Sequence, residues 1–194
     1  CNKSLVIEQK NADGNFVHSD YFNPDKELLS VAESLLTNAW QHKEDDFNDF
    51  NFQYLIPHKE STRGPKMAVA DINKDGMDDF FVCGAKGQAG ALMMQQQTGK
   101  FTSTDTALFA MDKICEDADA VFFDANDDQN IDLLVVSGGN EFSGISKPLL
   151  DRLYINDGKG HFAKSPSFPQ TFENKSCVSA ADIDRDGDVD IFIG

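Results

Sequence analysis

The 194-residue chain carries 33 acidic against 17 basic residues, a formal net charge of −16. That balance argues against nucleic acid or anionic membranes as partners, since phosphate contacts draw on clustered Lys and Arg. A hydrophobic content of 40%, with 16 Phe but one Trp and three Tyr, belongs to a folded body rather than a disordered acidic tail. No apolar run approaches the length of a transmembrane helix, so partners are expected to be cationic, neutral or metallic.

The chain opens on Cys1 rather than Met, which suits either a mature lipoprotein acylated at that cysteine or a piece of a longer chain. Its last residues, Ile191-Phe192-Ile193-Gly194, read as a strand cut short. The fragment reading is therefore the expected one, with the remaining blades on a longer parent chain. Residues 1–60 are read as an N-terminal segment. Ser4 to Glu8 and Asn15 to His18 flank Asn11-Ala12-Asp13-Gly14 as a hairpin from a preceding blade. From Asp25 to Gln41, Leu28, Leu29, Ala32, Leu35, Leu36 and Ala39 fall at helical spacing behind Pro24, predicting one amphipathic helix. A connector rich in charge and Phe follows.

Residues 61–194 are organised by internal similarity. Three nine-residue stretches, 71–79, 124–132 and 182–190, hold four, four and five of the acids, and their starts lie 53 and 58 residues apart. Each sits between short apolar runs rich in Val, Ile and Phe, so each reads as strand, acidic turn, strand. After the first two units Leu92 to Gln95 with Gly99 to Thr102, and Leu153 to Asn156 with Gly160 to Ala163, supply two more strands. The second of these pairs is joined by Asn156-Asp157-Gly158-Lys159-Gly160, a hairpin signal. The predicted fold is all-β: a partial β-propeller of four-stranded antiparallel blades, with repeats near 65–105, 117–165 and, truncated, 176–194.

Calcium takes six to eight oxygen ligands, and a short loop supplies them when alternate residues point inward. Positions 1, 3, 5 and 9 are Asp71, Asn73, Asp75 and Asp79 in the first loop; Asp124, Asn126, Asp128 and Asp132 in the second; Asp182, Asp184, Asp186 and Asp190 in the third. Position 7, which is Met77, Asn130 or Asp188, would lend its backbone carbonyl. Three Ca2+ sites are thus expected, with the four-carboxylate third loop holding its ion most tightly. Magnesium is disfavoured because it keeps several waters. Gly76 and Gly187 occupy position 6, where the chain turns sharply. Gln129 breaks that rule, and the second loop is expected either to bind more weakly or to relax its turn.

The EF-hand shares the opening D-x-[DN]-x-[DN]-G but requires a bidentate Glu at position 12. Here Val82, Val135 and Ile193 stand there, which excludes it. Gly84 to Gly90 and Gly138 to Glu141 follow strands, yet no helix pattern starts after them, so phosphate-cradling loops are excluded and wide inter-strand turns remain. The four cysteines lack metal-site spacing. Cys115 and Cys177 leave two readings: a disulfide between neighbouring inner strands, or two buried free thiols.

The motif of apolar strand, D-x-[DN]-x-D-G-x-x-D and apolar strand resembles the FG-GAP/VCBS repeats of integrin α-chain-like β-propellers. The stretch Leu153-Tyr154-Ile155-Asn156-Asp157-Gly158-Lys159-Gly160-His161-Phe162 resembles the outer hairpin of the cartilage acidic protein family and its bacterial secreted relatives. The resemblance implies an extracellular or cell-envelope setting and adhesion or ligand binding, to protein or glycan, with calcium structural. The rival reading is the propeller domain of a secreted glycan-active hydrolase or lyase. It would need carboxylates or histidines outside the metal loops, for which Glu116, Asp117, Asp119, Glu141, His161 and His58 are available. The blander reading takes Glu116-Asp117 as a solvated loop and assigns no catalytic residue.

Overall fold

The computed structural model of the chain describes residue 14 and residues 35–194. Strands β1 (Met67–Ala70), β2 (Asp79–Val82), β3 (Ala91–Gln95) and β4 (Phe101–Thr104) form one sheet in that order. Strands β5 (Asp117–Phe123), β6 (Asp132–Ser137), β7 (Arg152–Asn156) and β8 (Phe162–Lys164) form a second with the same order. A two-stranded unit of β9 (Val178–Ala181) and β10 (Asp190–Ile193) follows. All pairings within these sheets are antiparallel. The all-β expectation, with four-stranded antiparallel sheets, holds.

Register explains why one loop length recurs. Ala70 pairs with Asp79, Phe123 with Asp132 and Ala181 with Asp190. In each hairpin the residue before position 1 lies opposite position 9, so nine residues close the turn and deliver the last acid onto the second strand. A bulge between Asp117 and Asp119 shifts the start of β5 by one residue, a device that re-aims side chains at a sheet end.

Period-two side-chain alternation divides the apolar residues between faces. From β6, Leu133 and Val135 enter a core shared with Phe81, Leu92 and Tyr154. Leu134 and Val136 face the other way, with Phe123, Leu153, Val178 and Ile193. The unbroken run Leu133 to Val136 is buried throughout because its sheet is covered on both faces. β3 divides likewise, Leu92 and Met94 joining the first core while Ala91 and Met93 pack with Val82 and Trp40 on the opposite face. The short helix α1 (Thr106–Ala110) follows β4 and inserts Phe109 against Phe81 and Tyr154, ring centroids 5.2 and 5.1 Å away.

One expectation changes and one open choice closes. The hairpin over residues 4–18, and the amphipathic helix as far as residue 34, lie outside the described residues apart from Gly14. Residues 35–41, the predicted end of that helix, are not helical. Leu36 instead bridges Phe101 in parallel, and the Phe101 N–H and C=O engage Leu35 O and Thr37 N at 2.8 and 2.9 Å. The open edge of β4 has backbone groups that need partners, and satisfying them prevails over helical periodicity. Cys115 and Cys177 are not bridged; they and Cys83 are free thiols. Within the Phe-rich connector a 3-10 turn at Asp49–Asn51 buries Asp49, whose carboxylate accepts the Ser61 N–H and hydroxyl.

Candidate metal centres in the acidic loops

Each loop is held by its own carboxylates. In the first, Asp71 accepts the Asp75 N–H at 3.1 Å and the Gly76 N–H at 2.8 Å, while Asp75 accepts the Met77 N–H at 2.9 Å. In the second, Asp124 accepts from Asp128 at 3.2 Å and Gln129 at 2.7 Å, and Asp128 from Asn130 at 2.8 Å. In the third, Asp182 accepts from Arg185 at 2.6 Å and Gly187 at 3.2 Å, and Asp186 from Asp188 at 2.9 Å. The first two loops share these bonds, and the second adds one from the Asn126 N–H to Asp124 at 3.3 Å. The third shifts one of its bonds from position 5 to position 4.

Left-handed backbone recurs at two positions per loop. Position 6 has φ of 82° at Gly76, 68° at Gln129 and 101° at Gly187; position 4 has 60° at Lys74, 59° at Asp127 and 65° at Arg185. Gln129 therefore keeps the turn that glycine makes in the other loops, at the steric cost of a Cβ. The expected relaxation of the second loop does not occur. At the second left-handed position residue type gave a sign only in the second loop, since Asp127 is of a type enriched there while Lys74 and Arg185 are not.

The position 9 acids have a double role. Asp79 is fully buried; its Oδ1 accepts the Gln95 N–H at 2.7 Å and its Oδ2 the Ile72 N–H at 3.3 Å. Asp132, equally buried, accepts from Asn156 at 2.8 Å and Ala125 at 3.0 Å. Each carboxylate thus ties position 2 of its loop to the third strand of its sheet. Among the described residues Asp190 makes only the loop bond, to Ile183 at 3.0 Å. Burial lifts the Asp79 and Asp132 carboxyls above the usual range, and the nearby charges of Asp71 and Asp75, or of Asp124 and Asp128, add to the rise against those backbone bonds.

The donor set fits a hard cation. In the exposed third loop, Asp182, Asp184 and Asp190 each bring a carboxylate oxygen within 4.8 Å of the other two, a spread that one ion with ligands at about 2.3–2.6 Å can span. Asp186 and Asp188 stand outside that trio. Loops one and two place an amide at position 3, where Asn73 and Asn126 turn Oδ1 to the position 5 N–H at 3.1 Å. An oxygen accepting one N–H keeps a lone pair for a metal. No catalytic chemistry follows from such loops; a bound ion would neutralise converging charge and lock the hairpins.

Asn156 has a role its sequence context did not reveal. Buried to 2% exposure, its Nδ2 donates to Ile72 O in the first loop at 2.8 Å and to Ile131 O in the second at 2.9 Å. Its Oδ1 accepts the Gly158 and Gly160 N–H groups at 3.0 and 3.1 Å. One amide therefore joins the first two acidic loops to the β7–β8 turn. Lys74 adds a second link, donating to Asn130 Oδ1 at 3.0 Å.

The acids outside the loops are mostly committed. Glu116 and Asp117 are 4% and 5% exposed, which corrects the solvated-loop reading: both face inward, toward the Lys86 and Gly84 N–H groups. Asp117 pairs with the buried Arg152 guanidinium at 2.6 Å and accepts the Gly84 N–H at 2.8 Å. Asp119 accepts the Val178 N–H at 3.1 Å, tying β9 to β5. Glu141 meets Lys86 Nζ at 2.6 Å. Glu116 accepts the Lys86 N–H at 2.7 Å through Oε2, and burial pushes its carboxyl up to about 8, with Glu44, Asp117 and Glu141 adding to the rise. His161 and His58 are largely exposed, beside Asp105 and Arg63 respectively.

Antiparallel sheets that each begin with an acid-closed hairpin define a repeat protein. Residues 124–193, from the first acid of the second loop to the end of β10, match the family model described as FG-GAP-like repeat. The chain thus carries a repeat of the FG-GAP type, and the sheet of β1 to β4 has the same order and loop closure outside the matched stretch. No curated protein matches the chain.

Proposed function

We propose that this chain is part of a calcium-stapled β-propeller whose ions are structural, and that it acts in an extracellular or cell-envelope setting by presenting a blade face to a ligand. The observation that carries the reading is the triple recurrence of one loop: the same nine-residue closure, position 1 carboxylate over the position 6 N–H, and position 9 acid in each hairpin. Inner strands add support, since β5 lies beside both β1 and β9 without pairing to either, as blades stacked around an axis would place them. Modest-affinity calcium loops suit compartments rich in that ion.

The hydrolase or lyase reading rests on Glu116 alone. Asp117, Asp119 and Glu141 are each engaged by a cation or a backbone N–H, so none is placed to act as its acid–base partner. Equilibrium dialysis of the full chain against radioactive calcium tests the proposal. Three bound ions are expected, and zero would sink it.

A further inference from the structure

At the opposite ends of β2 and β6 from the acidic loops, a cavity of about 310 Å³ opens among Glu116, Asp117, Gly139, Asn140 and Asn174. Its charge is not balanced among the described residues. The nearby cations among the described residues are spoken for: Arg63 by Glu60 at 2.7 Å, Arg152 by Asp117 at 2.6 Å, Lys175 by Asp151 at 3.4 Å and two backbone carbonyls, and Lys86 Nζ by Asp45 and Glu141 at 3.0 and 2.6 Å. Glu116, only 4% exposed, has no cation, and its Oε1 has no hydrogen-bond partner among the described residues. Burying a carboxylate in this way is costly unless something positive completes it.

The surroundings specify what kind of cation. A divalent metal would want several free carboxylates around it, yet beside Glu116 the Asp117 carboxylate is held by Arg152 and that of Glu141 by Lys86. Around Glu116 the other charged lining groups are paired, Arg63 with Glu60, Asp117 with Arg152 and Lys175 with Asp151, and what remains is the Ser176 hydroxyl and three amides, Asn140 lying between Gln53 and Asn174 at 3.4 and 3.5 Å. One carboxylate beside amides matches an organic ammonium or guanidinium group, which needs one charged partner and a few neutral acceptors. The rim points to a protein as the carrier. Gln53 and Ile56 line the opening, and between and beside them Phe52, Tyr54 and Leu55 stand 69%, 81% and 98% exposed, the aromatic and aliphatic surround that anchors protein interfaces.

Resting on the ligand-binding reading above, we infer that this cavity receives a Lys or Arg side chain of a protein partner, with Glu116 as its counter-ion and Phe52, Tyr54 and Leu55 as its apolar rim. The cavity volume, at the small end for ligand sites, suits one side chain rather than an extended chain. The net charge of −16 would also speed encounter with a basic partner.

The test is an NMR titration of the isotope-labelled full chain at pH 8.5, where the Glu116 carboxyl is mostly ionised, with three probes: acetyl-Gly-Lys-Gly-amide, its norleucine analogue, and glucosamine. The lysine peptide is expected to shift the Gly139 and Asn140 amides and to bind at least tenfold more tightly than the norleucine peptide. Glu116→Gln should erase that difference. The glutamine can still accept the Lys86 N–H, and a preserved spectrum elsewhere would establish folding. If that variant does not fold, Asn140→Ala must weaken the lysine peptide at least threefold. Equal binding of lysine and norleucine peptides, binding of glucosamine alone, or no binding by any probe would each overturn the inference. None of these outcomes alters calcium uptake, so a failed pocket and a failed metal reading are distinguishable.

Discussion

Replacing Asn156 by alanine tests whether one buried amide unites the acidic loops of the two four-stranded sheets. The substitution removes four side-chain hydrogen bonds, two to the Ile72 and Ile131 carbonyls and two from the Gly158 and Gly160 N–H groups, all between 2.8 and 3.1 Å. A net contribution of about 1 kcal/mol per bond gives a loss of about 4 kcal/mol, provided water does not replace the partners. For a chain of this size that lowers Tm by about 8–16 °C. Asn156→Asp is the informative companion: it keeps both acceptors, loses both donors and sets a charge beside the buried Asp132, so it should cost at least as much. Urea unfolding followed by circular dichroism, in saturating calcium, measures both. A loss below about 1 kcal/mol for Asn156→Ala would refute the clasp.

Three further outcomes follow from particular residues. Gln129→Gly removes a left-handed Cβ at φ 68° and should stabilise the chain by about 0.5–1 kcal/mol, while Gly76→Ala at φ 82° should cost about 1–2 kcal/mol; thermal melts of the two variants read opposite signs. Breaking the buried Arg152–Asp117 pair by Arg152→Met strands the Asp117 charge and should cost about 3–5 kcal/mol, while the double variant with Asp117→Leu should recover most of it, as a double-mutant cycle would show. Glu116 faces Glu44, Asp117 and Glu141, and Lys86 donates to it only through its backbone; its carboxyl, pushed from 4.5 up to about 8, makes the folded state bind the proton more tightly than the unfolded state. Stability should therefore fall as pH rises from about 4.5 through about 8 and level off above, by on the order of 4 kcal/mol. Glu116→Gln should flatten that slope in urea melts taken across the range.

The sequence revealed most where local chemistry repeats. Alternate acids at fixed spacing, the glycine at position 6 and the apolar flanks of each loop predicted the hairpins, because a turn of that composition between β-branched runs admits few other conformations. Long-range pairing was hidden. The Asp117–Arg152 ion pair joins residues whose local context, a diacid and the start of a strand, gives no sign of a shared interior. Asn156 looked like a turn former and is also a clasp. The N–H groups that Asp79 and Asp132 accept from Gln95 and Asn156 come from a neighbouring strand, so the acids read as ligands also hold the sheet together. Residues 35–41 had helical spacing, but the unsatisfied edge of β4 took them instead.

The account stands or falls on the metal. Differential scanning calorimetry of the full chain in excess calcium and in excess chelator measures the linkage directly. At a free calcium concentration of 100 Kd each structural site adds about 2.7 kcal/mol, so Tm should rise by several degrees per site and keep rising with calcium concentration. A Tm that is the same in calcium and in chelator would contradict it.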